Sequence, residues 1–306
     1  MPVLAHRQSD KPFLGILLVI CSTAFLGSSD AIAKYLSRSG MPPVEIAWIR
    51  FLVFVLIMTP IVLAPSSGRP LRSSRPLMQV FRALGLLCSS IFFIVALGYL
   101  PIAEATATGF VSPLFVTGLS IVFLGEKVGL RRWTATIVGL IGVMVIVRPG
   151  TAAFNPAAIF PILSSLGWAS ALVLTRKMSG ADSSITTMAF SAITGFLVLS
   201  VFVPFTWIMP TWQQIAFGTA IGISSTVGHW IVVLAFRHAD ASVLAPFSYV
   251  QLVWVTLLGY FVFGEVPDIW TFVGAAVIIS SGLYTAHRER VRRAQVVVAA
   301  EPLPSA

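Results

Sequence analysis

The sequence predicts an all-α polytopic membrane protein, with ten transmembrane helices arranged as two inverted five-helix repeats. Three observations carry that prediction: charge is scarce, the remaining charges are spaced at helix-length intervals, and the two halves echo each other with reversed charge bias. Of 306 residues, 57% are apolar and 10% charged, and mean hydropathy is +0.92. Soluble chains carry about 25% charged residues, and a globule this poor in charge could not cover its own surface. Disorder, a disulfide scaffold and a secreted globule are excluded on the same ground.

Charged residues punctuate the apolar runs. About 30 Å of hydrocarbon needs ~20 apolar residues per crossing, which places helices near 13–36, 44–64, 78–99, 102–124, 133–148, 156–176, 185–206, 213–236, 241–263 and 269–286. The run from Ser183 to Phe236 holds 54 residues, too many for one crossing. Pro204 and Pro210 bracket its break, beside Trp207 and Trp212 as interfacial aromatics. The runs are continuous rather than alternating, which argues against a β-barrel. Arg7 and Lys11 before an apolar stretch, with Ala31-Ile32-Ala33, resemble a signal peptide. Asp30 and the nine spans that follow favour a retained first helix. Cys21 and Cys88 lie within spans one and three and are expected as buried thiols.

With both termini in the cytoplasm, fifteen of the twenty basic residues fall inside, and Lys34, Arg38 and Arg148 fall outside or near the outer face. That positive-inside bias accounts for the net charge of +9, so no nucleic acid is expected. The basic stretch His287–Arg293 is expected to lie against anionic headgroups, with a disordered sequel.

Tyr99-Leu100-Pro101 before span four echoes Arg237-His238-Ala239 before span nine, 138 residues on. Gly125-Glu126 and Gly264-Glu265 end the same two spans, 139 residues apart. Arg69, Arg72 and Arg75 follow span two, while the loop after span seven has no basic residue. Five spans per copy invert the second, and inverted repeats around a midplane site mark many secondary transporters. Residues 12–150 and 151–287 form the two copies, and 288–306 the tail.

These features, with Ile49-Arg50-Phe51, Ser112-Pro113-Leu114, Trp133, Gly139-x-x-Gly142 and Ala245-Pro246-Phe247, resemble the EamA-type drug/metabolite transporters. Ser29-Asp30-Ala31-Ile32-Ala33-Lys34-Tyr35-Leu36 resembles the branch that moves S-adenosylmethionine, riboflavin, amino acids or amino-acid-derived metallophores. The resemblance implies an inner-membrane transporter of a small polar metabolite, with export of an amino-acid-derived compound as the first reading and uptake of a vitamin or cofactor as the alternative. The second copy lacks a proline matching Pro113, at Gln251 or Leu252.

Ionisable groups within a bilayer are costly, so each is a functional candidate. Asp30 and Arg50 fall at similar depth, with Lys34 and Glu45 one turn outside them. They read as an ion-pair cluster joining spans one and two, or as a gate or site for a zwitterion. Thr108, Ser112, Trp168, Tyr249 and Gln251 fall near the midplane, as pocket lining or as ordinary packing. His229 reads as an interhelical hydrogen bond or a proton carrier; Asp30 and Glu104 are the other groups available to couple protons. Glu126 pairs with neighbouring cations, whereas Glu265 has no role beyond the repeat. Gly85 with Ser89, and Gly139 with Gly142, read as close helix packing. The expected partners are a small-molecule substrate and lipid, in a monomer or homodimer. No cofactor, metal site or enzymatic constellation is expected, and Asn155-Pro156 reads as a helix cap rather than a channel motif.

Overall fold

A computed structural model describes residues 12–64, 71–125, 130–178, 181–235, 238–239 and 241–300. Arg7, Lys11, Arg69, Glu126, Lys127 and Arg237, used in the topology and repeat arguments, lie outside the described residues. Helices α1 (Pro12–Arg38), α2 (Pro43–Leu63), α3 (Pro76–Tyr99), α4 (Ile102–Gly109), α5 (Ser112–Leu124) and α6 (Leu130–Val147) are followed by α7 (Ile159–Lys177), α8 (Ser184–Phe202), α9 (Trp212–Ala235), α10 (Ala241–Ser248), α11 (Val250–Phe263) and α12 (Ile269–Ala300). Seven segments are long and apolar enough to cross a membrane, the fourth being Ile102–Leu124. Trp133–Val147, Val250–Phe263 and Ile269–Tyr284 are shorter apolar helices. Large apolar side chains stand outward, including Phe81, Val122, Val201 and Phe261. A surface this apolar suits hydrocarbon, where only internally hydrogen-bonded segments survive.

The helix ends follow local chemistry. Pro43 and Pro76 occupy first-turn positions, where a missing N–H costs nothing. Thr211 and Gln214 cap α9 reciprocally, Thr211 N–H to Gln214 Oε1 at 2.8 Å and Gln214 N–H to Thr211 Oγ1 at 3.2 Å. Asn155 Oδ1 accepts from Ala157 N–H at 2.9 Å, so Asn155-Pro156 is a cap. Gly125 and Gly264 end α5 and α11 with φ of 66° and 65°, a left-handed conformation open to glycine.

Four expectations change. The fourth segment is not continuous: it breaks between α4 and α5, because Pro113 cannot donate to the carbonyl of Gly109. That carbonyl accepts from Ser165 Oγ of α7 at 2.7 Å instead. The ninth segment likewise breaks at Tyr249, between α10 and α11. The last helix continues to Ala300, past the expected end at 286 and through residues assigned to the tail; no glycine or proline interrupts 283–300. Cys21 and Cys88 are free but exposed rather than buried, a position that lipid tolerates in a small apolar thiol.

The largest helix–helix interfaces pair α1 with α9, α3 with α7, α6 with α12 and α2 with α8. Contacts give each an antiparallel sense. Tyr35 meets Gln213 while Gly15 meets Ala235; Arg82 reaches Thr175 while Ser89 reaches Ser164; Trp48 bonds Ser200 while Phe51 covers Gly195. Ser281 Oγ donates to the Ala135 carbonyl while Gly142 faces Gly274. Small residues set these distances. A Cβ on Gly142 would stand 2.8 Å from the Gly274 carbonyl oxygen, and one on Gly167 would stand 2.7 Å from that of Gly85.

Beyond the end of α7, Asp182 ties α3 to the α7–α8 connection. It accepts from Ser73 Oγ, Ser74 N–H at 2.9 Å and Gln79 Nε2 at 2.8 Å. Partial burial opposes its ionisation, but these hydrogen bonds outweigh it and hold the carboxyl below its ordinary range.

Gly142→Val should force α6 from α12 and destabilise the protein by roughly 1–3 kcal/mol, read as a lower Tm of the detergent-purified chain. Asp182 has a depressed pKa, so its stabilisation is present above the unfolded value and lost as pH falls through the folded one. Asp182→Asn should therefore lower Tm at pH 7, and the gap to wild type should close as pH falls below about 4.

Candidate functional site

Asp30, Arg50 and Gln251 come together although they sit on α1, α2 and α11. Gln251 Nε2 donates to Asp30 Oδ2 at 3.0 Å. Arg50 donates to Ser90 Oγ of α3 at 3.4 Å, a long bond. Arg50 lies within electrostatic reach of both Asp30 and His229. Among the described residues no ion pair joins Asp30 to Arg50 directly. All three are enclosed by protein, yet each keeps accessible surface. They are therefore neither sealed in a dry core nor fully exposed. Asp30 Oδ1 and the remaining guanidinium nitrogens of Arg50 have no hydrogen-bond partner among the described residues, and they are not sealed off.

Trp168 of α7 packs edge-on against the His229 ring, with centroids 6.2 Å apart. His229 Nδ1 lies 2.7 Å from the carbonyl of Ser225 one turn earlier. A carbonyl only accepts, so Nδ1 carries a proton and Nε2 is the nitrogen left to face other groups. The bond is within α9 rather than interhelical. Tyr249, at the α10–α11 break, meets Phe110, at the α4–α5 break, with centroids 4.9 Å apart; its hydroxyl abuts Gly282, where any Cβ would collide. Ser112 is half-buried in the first turn of α5. Thr108 is fully buried, and its hydroxyl has no partner among the described residues. Thr108 therefore belongs to packing and not to the lining.

Lys34 and Glu45 leave this cluster. Lys34 is 1% exposed; its ammonium donates to the Leu100 carbonyl and lies 2.9 Å from Glu265 Oε1. Glu265 also meets Arg38, and its Oε2 accepts from Ile102 N–H at 3.0 Å. A carboxylate at the start of α4 answers unpaired N–H groups and the helix dipole together. Phe263 adds its ring face to both cations, 5.7 Å from Lys34 and 5.1 Å from Arg38. Glu265 thus joins α1, the α3–α4 corner and α11, a role the sequence left unexplained. Its partners are far apart in the chain, so no local pattern signals it; an acidic residue just past a terminal glycine was the only clue. Glu45 is fully buried and accepts from Ile208 N–H at 3.3 Å, well apart from Arg50's partners. Nearby, Arg148 pairs with Asp268, which caps α12 through Thr271 N–H at 2.8 Å. Ser90 is a neighbour of the charge cluster that sequence spacing did not select. A separate cleft of about 190 Å³ between α2 and α8, lined by residues such as Val55, Met58, Val62 and Ile193, is apolar and carries none of these groups.

Apolar helices packed around a few enclosed, incompletely partnered polar groups define a multi-pass membrane protein with an internal polar site. The EamA-like transporter family model matches residues 13–148 and again 155–286. The chain belongs to that family. It is 30% identical over 277 residues to the S-adenosylmethionine uptake transporter of Rickettsia prowazekii, covering 90% of this chain and 93% of that one. It is 30% identical over 275 residues to the riboflavin transporter of Vibrio cholerae, covering 88% and 92%. The pseudopaline exporter CntI of Pseudomonas aeruginosa is 27% identical over 271 residues, covering 87% and 93%. One crystal structure, 20% identical, shares the fold with a TM-score of 0.63 over 90% of this chain and 97% of its own. The protein is a membrane transporter of small molecules, as these relatives are.

Breaking a buried pair from one side leaves an uncompensated charge and costs roughly 3–5 kcal/mol. Glu265→Ala should lower Tm accordingly, and Lys34→Met should cost less in the Glu265→Ala background than alone, as a double-mutant cycle would read.

Proposed function

We propose that the chain is a secondary transporter that moves a small, amino-acid-derived polar metabolite across the inner membrane by alternating access. The observation that carries this reading is the enclosed set of Asp30, Arg50 and Gln251, in which the second half of the chain supplies Gln251 to Asp30, a charge of the first half within electrostatic reach of Arg50. Fixed charges deep in a membrane protein mark a solute path.

In this reading ten segments cross the bilayer, α4 with α5 and α10 with α11 each making one. Two copies of five lie in opposite orientation, with both termini in the cytoplasm as the distribution of basic residues requires. Several features support the inversion. The family model matches twice. The second helices, α2 and α8, pack antiparallel, and so do the fifth, α6 and α12. Phe110 and Tyr249 stand 139 residues apart and touch, as equivalent residues on a two-fold axis would. The contact of Gly142 with Gly274 exchanges into that of Ser281 with Ala135 under the same shift. Two copies that swap conformations about such an axis open the hollow to alternate sides.

The family resemblance favours export. Uptake of S-adenosylmethionine is the second reading, favoured by relatives so named at 29–30% identity over 90% of this chain; that solute also bears an amino-acid head.

Counterflow in proteoliposomes tests the site. Asp30→Asn and Gln251→Ala should reduce exchange at least about tenfold, since a hydrogen bond to a charge is worth ~1.5–3 kcal/mol. Membrane insertion should be unchanged, and wild-type exchange in both variants would remove them from the site.

A further inference from the structure

We infer that Asp30 and Arg50 are a split reader of an α-amino acid head group: Arg50 takes the ligand's carboxylate, Asp30 takes its ammonium, and Trp168 with His229 walls the space for the rest of the molecule. The inference deepens the transporter reading and rests on it.

The reasoning starts from an unmade bond. Opposite charges in a medium of low dielectric constant attract strongly and close into contact unless something holds them apart. Here each is held by a neutral partner from a third helix. Gln251 of α11 engages Asp30 at 3.0 Å, and Ser90 of α3 reaches Arg50 at 3.4 Å. No direct ion pair forms among the described residues, yet the two remain within electrostatic reach. Each also keeps an unengaged polar edge with accessible surface, Oδ1 on Asp30 and two nitrogens of the guanidinium. An acceptor and a donor fork, apart but within electrostatic reach and each partly accessible, match a ligand bearing ammonium and carboxylate on neighbouring atoms. A guanidinium suits a carboxylate because its paired donors fit both oxygens.

Neither Glu265 nor Glu45 competes for this role. Glu265 is engaged by Lys34, Arg38 and the Ile102 N–H, and Glu45 is sealed against Ile208. Lys34 is likewise committed to Leu100 and Glu265. Trp168 and His229 present aromatic surface, and Nε2 of His229 is not sealed off. A ring or a cationic substituent would meet them favourably.

The test uses the full chain in liposomes and in detergent. Counterflow of the twenty amino acids, S-adenosylmethionine and riboflavin identifies the solute. Calorimetric titration then compares the best zwitterion with its decarboxylated amine and its deaminated acid. Wild-type protein should bind each analogue about tenfold or more weakly than the parent. Arg50→Gln should erase the difference between parent and amine, and Asp30→Asn that between parent and acid. If either variant fails to elute as a single folded species, Arg50→Lys and Asp30→Glu replace them, and the wild-type comparison stands by itself. Riboflavin as the only solute moved, or equal binding of parent and both analogues, would overturn the inference while transport stands. Movement of no solute would overturn both.

Discussion

Hydrocarbon offers no hydrogen bonds, and from that the arrangement of this protein follows. Every backbone amide must be paired within its helix or by a neighbour, and every charge must find a partner inside the bundle. Where proline breaks that rule at Pro113, the freed carbonyl of Gly109 is taken by Ser165 from another helix. Where α4 begins, a carboxylate from the far half of the chain covers its first N–H. These are tertiary solutions to local deficits, and they tie the two halves of the chain together.

Close approach depends on what side chains leave out. Glycines on α3, α6, α7 and α12 let backbones come within contact distance, which replaces the hydrophobic drive that lipid cannot supply. The antiparallel pairs join one half of the chain to the other in each case, so neither half packs as a separate body. The interface between halves is the interior of the protein, and the two helix breaks meet within it at Phe110 and Tyr249.

The charged groups differ in how far they are engaged. Lys34 and Glu265 are committed to binding helices to one another, and Arg38 adds to them from an exposed position. Asp30 and Arg50 are only partly used, and they border space rather than packing. Charge that is retained in a costly place without complete pairing is a candidate for contact with a passing solute. The same distinction separates structural ions from functional ones in a chain that has few of either.

Composition alone excludes a soluble fold, and charge spacing places the apolar segments to within a few residues, because a bilayer imposes a length and a polarity that any crossing must meet. Caps such as Asn155 and Thr211 and the glycine stops at 125 and 264 are equally local, and so legible. The depth of Asp30 and Arg50 follows from counting along a helix. Depth, however, says nothing of facing. Lys34 and Glu45 share that depth range and yet turn to Glu265 and Ile208, and Thr108 turns into packing, because rotation about a helix axis is decided by its neighbours. The part played by Glu265, the gap kept between Asp30 and Arg50 by Gln251 and Ser90, and the meeting of the two breaks all join residues far apart in the chain. Only the packed bundle, in which low dielectric makes every unpaired charge seek a distant partner, could decide them.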